Sequence, residues 1–159
     1  MYNEPQKQID AKALKAWQLS GWISAAFYLI IVIALLVLSL LFSWPIWIFA
    51  LVLVLAICGS YIEIAVWPKL RYNQWRYEID EDGIELKHGI IFRKRTSIPM
   101  VRVQHVDKKQ GPILRHYQLA TVTFSTAAGS HEIPALTDEA ADDARRQIAR
   151  LARISNEEV

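Results

Sequence analysis

The chain has 159 residues, 53% apolar and 21% charged, with a net charge of +2, a length that suits one ordinary domain. The charges are uneven: between Lys15 and Glu63 no Asp, Glu, Lys or Arg occurs, which leaves 47 uncharged residues in a row and excludes a wholly soluble globular protein. The single cysteine, Cys58, excludes an intrachain disulfide framework and a cysteine-based zinc site.

Residues 1–21 precede the apolar block and carry Lys7, Lys12 and Lys15. The block itself would span roughly 70 Å as helix, about two hydrocarbon cores and a turn. Trp22 to Phe42 is a run of 21 residues and Ile46 to Trp67 a run of 22, broken only by Ser43, Trp44 and Pro45. Proline removes a backbone donor and disfavours helix in the residue before it, so Trp44-Pro45 predicts a tight turn. Residues 22–67 therefore read as a two-helix transmembrane hairpin. Five of the six tryptophans, Trp17, Trp22, Trp44, Trp47 and Trp67, flank the spans, as amphipathic rings at headgroup depth do.

Basic residues lie before the hairpin and again after it, at Lys69, Arg71 and Arg76, with none in the turn. The expectation is a multi-pass protein with both termini cytoplasmic. Small residues gather near one end of both spans; Gly21 and Ala25 in the first, with Gly59 and Ser60 in the second, are candidate packing residues. Glu63 is the one acid in the block. Intramembrane carboxylates mark functional sites, but Glu63 stands four residues before Trp67, where an interfacial position also accounts for it.

From residue 68 to 159 the pattern becomes short alternating runs between turn residues, which predicts a mostly stranded domain. Trp75, Tyr77 and Ile79 share one face, Asp80 to Gly83 turn, Ile84 and Leu86 resume, His88-Gly89 turn again, and Ile90 with Phe92 open another strand. Further strands fit Val101 to Val106, Leu119 to Thr126 and His131 to Pro134, with a short helical turn in Gly111 to Tyr117. At the end Ala141, Ala144, Ile148 and Leu151 recur at helical spacing, acids precede arginines, and Thr137 is placed as N-cap. Antiparallel strands followed by one apolar-striped helix suggest a bent sheet or partly open barrel whose mouth the helix covers.

Tyr77-Glu78-Ile79, the Gly83 and Gly89 turns, Ile98-Pro99, Arg102-Val103-Gln104-His105-Val106, Gly111-Pro112-Ile113-Leu114, Val122 to Ala127 and Glu132 to Thr137 together resemble the bacterial pleckstrin-homology-like (PH-like) family of YdbS-like membrane proteins. The likeness covers roughly residues 70–152, and the hairpin also fits it. It implies a membrane α-helical hairpin plus an α+β cytoplasmic domain: a PH-like β-barrel of about seven strands closed by the C-terminal helix, in the bacterial inner membrane. One departure is Gln118, where the family pattern leads us to expect glycine.

No G-x-S-x-G elbow, phosphate loop, H-E-x-x-H or dinucleotide-binding turn occurs. The four histidines, 88, 105, 116 and 131, match no compact metal spacing, so neither an enzyme nor a metal or cofactor is expected. The segment 93–115 is the candidate contact surface for lipid or a partner protein. It contains Arg93, Lys94, Arg95, Arg102, Lys108, Lys109 and Arg115 against Asp107 alone. Tethering favours anionic headgroups, whereas the short acidic turn at Asp80 to Gly83 differs from the basic loop of phosphoinositide-binding relatives. Nucleic acid is not expected, because basic and aromatic residues do not interleave as a stacking platform.

Resemblance makes the first functional expectation an interaction or assembly module, in a homo-oligomer or a complex with a larger related multi-domain PH-like membrane protein. Binding of membrane lipid headgroups is the second. An accessory subunit of a membrane enzyme or transporter, using Glu63, is the third.

Overall fold

The computed structural model describes residues 5–157. They form two compact units, one of residues 14–69 and one that joins the segment ending at Ala13 to everything from Leu70 onward.

The first unit is the helical hairpin. Helix α1 runs Lys12–Phe42 and α2 Ile46–Tyr61; a π-helical turn, Ile62–Val66, and α3, Trp67–Gln74, continue the second helix without a break. Both runs, 31 and 29 residues, are long and apolar enough to cross a membrane. Large apolar side chains such as Phe27, Ile30, Leu40, Leu55 and Ile57 point outward along them, the reverse of a soluble core helix. At the turn Ser43 takes a left-handed backbone (φ 53°). Ser39 closes it, its Oγ donating to the Trp44 carbonyl at 3.2 Å while the Trp44 N–H donates to the Ser39 carbonyl at 3.1 Å.

The second unit contains seven strands: β1 Lys7–Gln8, β2 Arg76–Ile79, β3 Gly83–His88, β4 Lys94–Pro99, β5 His105–Lys109, β6 Leu119–Thr126 and β7 Gly129–Thr137. Helix α4 is Pro112–His116 and α5 Asp138–Glu157. Side-chain alternation decides the faces. Tyr77 and Ile79 of β2, Ile84 and Leu86 of β3, and Val122 and Phe124 of β6 all turn into the core with Trp75. On α5 the buried stripe is Ala141, Ala144, Ile148 and Ala152. The Ala140 N–H donates to the Thr137 hydroxyl at 3.2 Å, so Thr137 caps the helix.

The seven strands do not close into a barrel, which corrects the expectation from sequence. They form two antiparallel sheets, ordered β1-β2-β3-β4 and β5-β6-β7, with no ladder joining one to the other among the described residues. The physical reason lies between β4 and β5. Pro99 offers no N–H, and Met100–Arg102 coil into a 3-10 turn that ends with the Val103 N–H donating to the Met100 carbonyl at 3.0 Å. A strand expected over Val101 to Val106 thus starts only at His105, on the edge of the other sheet.

Two elements bridge the sheets. Helix α5 packs on β2 of the first and on β5, β6 and β7 of the second, and Gln147 Nε2 donates to the Ile79 carbonyl at 3.3 Å. The N-terminal segment is the other. Lys7 pairs with Tyr77 and Gln8 with Arg76 in the first sheet, while the Asp10 N–H donates to the Ala135 carbonyl of β7 at 3.2 Å.

Candidate functional site

The basic residues singled out from the sequence do not converge on one site. Lys108, on β5, is held by the start of α5: its Nζ lies 2.9 Å from Asp138 Oδ1 and 2.9 Å from Asp142 Oδ2. The two carboxylates raise the Lys108 pKa above its ordinary value, and Lys108 in turn holds the Asp142 carboxyl below the usual range. Arg95 pairs across the ladder with Glu85 at 2.6 Å. Arg102 and Lys109 are exposed. Arg115, at the end of α4, lines an open cleft of about 550 Å³ with Lys12, Gln118, Asp138 and Glu139.

Arg93 and Lys94 stand apart, at the mouth of the β3–β4 connection. The sequence suggested a strand opening at Ile90 and Phe92. Instead β4 begins at Lys94, and Gly89 to Arg93 form a loop. Gly89 has φ 118°, and a Cβ there would collide with the Phe92 carbonyl oxygen, so glycine is what lets the chain turn. Gln74 Nε2 donates to the Ile90 carbonyl at 3.4 Å, pinning the loop to the last residue of α3.

A second cleft, of about 310 Å³, opens beside this loop; Asn73, Gln74, Arg76, Lys87, His88 and Arg93 line it, together with Pro5 and Gly89. Trp75 stacks on His88 with ring centroids 4.9 Å apart. Burial first, then electrostatic repulsion from Lys94 and Arg71, hold the His88 imidazole below its ordinary value, with Glu132 opposing. In the sequence Lys87 stood at the head of the basic stretch, whereas Arg76 read only as a basic flank of the hairpin. The signal that marks the loop is Ile90-Ile91-Phe92, three consecutive apolar residues that break strand alternation.

Within the hairpin, Gly21 is buried, and a Cβ on it would lie 3.0 Å from both the Glu63 carbonyl oxygen and Ile64 Cγ1. Gly59 has open space where a Cβ would stand, and Ala25 and Ser60 are half-buried. Glu63, inside the π-helical turn, accepts a hydrogen bond from the Tyr28 hydroxyl at 2.8 Å. Cys58 is exposed on the helix surface. Among the described residues no group of three His, Cys, Asp or Glu side chains could hold a metal ion. His131 stacks on Phe124, and His116 meets Tyr117 edge-on.

The family model for the bacterial PH domain matches residues 18–152. Over all 159 residues, and over the whole of both chains, the protein is 46% identical to the UPF0699 transmembrane protein YdbS of Bacillus subtilis (strain 168). No solved structure matches. A family match across most of the chain, together with end-to-end identity of that degree, makes this protein a YdbS-like member of the bacterial PH domain family.

Proposed function

We propose that the protein is a membrane-anchored assembly module, held in the bacterial inner membrane by its hairpin with both termini in the cytoplasm, and that it associates with a second copy or with a larger related multi-domain PH-like membrane protein. The observation that carries this reading is how the polar side chains of the soluble unit are used. Lys108 is bound to Asp138 and Asp142, Arg95 to Glu85, Gln110 to the Leu119 carbonyl and Gln147 to the Ile79 carbonyl. Three of the four histidines lie against aromatic rings. These groups hold elements together, and what the unit offers outward is surface. Family membership supports the same reading.

Purification of the intact chain in mild detergent tests it. A second copy or a PH-like relative is expected to co-purify; a monodisperse single chain with nothing bound overturns assembly.

A second reading is contact of segment 93–115 with anionic lipid headgroups. The exposed Arg93 and Lys94 favour it at one end of the segment, since each cation near an anionic leaflet contributes about 1 kcal/mol. The ion pairing of Lys108 counts against the other end.

A further inference from the structure

Ile91 and Phe92, 81% and 87% exposed, are the most exposed large apolar side chains among the described residues, more so than any on the hairpin. Single exposed apolar residues are ordinary. These two, however, are adjacent in a folded loop: Gly89 supplies the turn, and the hydrogen bond from Gln74 fixes the carbonyl of Ile90 just ahead of them. The backbone is thus organised to hold both side chains away from the core.

The surroundings of the loop say what it meets. Arg93 and Lys94 follow at once and are exposed. The adjoining cleft adds Arg76, and among the described residues no acid lines it. Apolar tips rimmed by cations fit an interface that is itself apolar below and anionic above. The same chain carries two helices long and apolar enough to cross a membrane, so this unit is tethered to a segment that suits a lipid surface.

We propose that the β3–β4 loop docks on an anionic phospholipid surface, with Ile91 and Phe92 entering the boundary between headgroups and acyl chains while Arg93 and Lys94 meet its phosphates. This rests on the headgroup-contact reading and adds insertion, which charge alone does not require. An amphipathic patch of this kind gains affinity from both buried apolar area and attraction to anionic lipid.

The test uses the full chain reconstituted into vesicles. An environment-sensitive fluorophore is placed at Ile91→Cys in a Cys58→Ser background, with Ser130→Cys, exposed at the start of β7, as reference. Vesicles of phosphatidylglycerol mixed with phosphatidylcholine are compared with phosphatidylcholine alone, each with acyl chains brominated or not, and an aqueous quencher is added separately. Insertion predicts that brominated chains quench the probe at 91 at least about threefold more than the probe at 130, less so without phosphatidylglycerol and less so in the Arg93→Gln, Lys94→Gln variant. Shielding from the aqueous quencher that needs phosphatidylglycerol, without bromine quenching, overturns insertion and leaves headgroup contact standing. Shielding indifferent to lipid charge means that protein covers the loop, and it overturns the docking proposal. A probe at 91 that is open to water in every vesicle overturns insertion and headgroup contact together.

Discussion

Gln118 has φ 56°, in the left-handed region that costs a residue with a Cβ roughly 1 kcal/mol or more. It ends the α4 turn, where its N–H donates to the Arg115 carbonyl at 3.1 Å, and its own carbonyl accepts from the Asp138 N–H at 3.1 Å. The glycine expected at this position from the family resemblance now has a physical basis. Gln118→Gly keeps both backbone bonds and relieves the strain, against a larger entropy loss on folding. The expected outcome is a neutral to slightly raised melting temperature for the purified protein, whereas Gln118→Val, β-branched in the same conformation, lowers it. At His88 the sign runs the other way with pH. Its folded pKa is depressed, so the unfolded chain binds the proton first, near the ordinary value of about 6.5, and stability declines as the pH falls from there toward the folded value. Melting at pH 7.5 and pH 5.5 should therefore differ more for the parent than for His88→Gln; equal slopes would remove His88 from the account.

At the scale of elements, α5 is the clearest case of structure written in spacing. Ala141, Ala144 and Ile148 repeat at three and four residues and are buried, although the stripe ends at Ala152 and leaves Leu151 half-buried. Ile148 is fully buried on the helix that packs against both sheets. Ile148→Asp places an unpaired charge there, at a cost of several kcal/mol, comparable with the whole stability of a small domain. Loss of a cooperative melt for the soluble unit is expected, with the hairpin still helical by circular dichroism. The inward faces of β2, β3 and β6 were equally legible from alternation. Closure of the sheets was not, because periodicity gives the face of a strand and says nothing about which edge finds a partner. The same limit hid the loop at Ile91 and Phe92, where consecutive apolar residues read as strand, and hid the basic cleft, whose Arg76 and Lys87 are separate in sequence and meet only through the β2–β3 register that pairs them directly.

For the whole molecule, the basic flanks, absent from the turn and present on either side of the hairpin, give the orientation prediction. With Cys58 replaced, a cysteine at Ser43 should react with an impermeant reagent in intact cells and one at Ser155 should not. The opposite pattern would reverse the proposed topology. The pairing of Lys7 with Tyr77 carries a consequence for biogenesis. The two strands are separated by about seventy residues that include both spans, so the ribosome releases β1 well before its partner exists, by several seconds at about 5–20 residues per second. In the proposed two-pass topology both strands lie on the same side of the bilayer, and the first sheet is completed there once the chain has returned. That topology would make membrane insertion a step in the folding of the second unit: a chain stalled with one span inserted would keep β1 and β2 on opposite sides of the membrane, where no refolding could unite them.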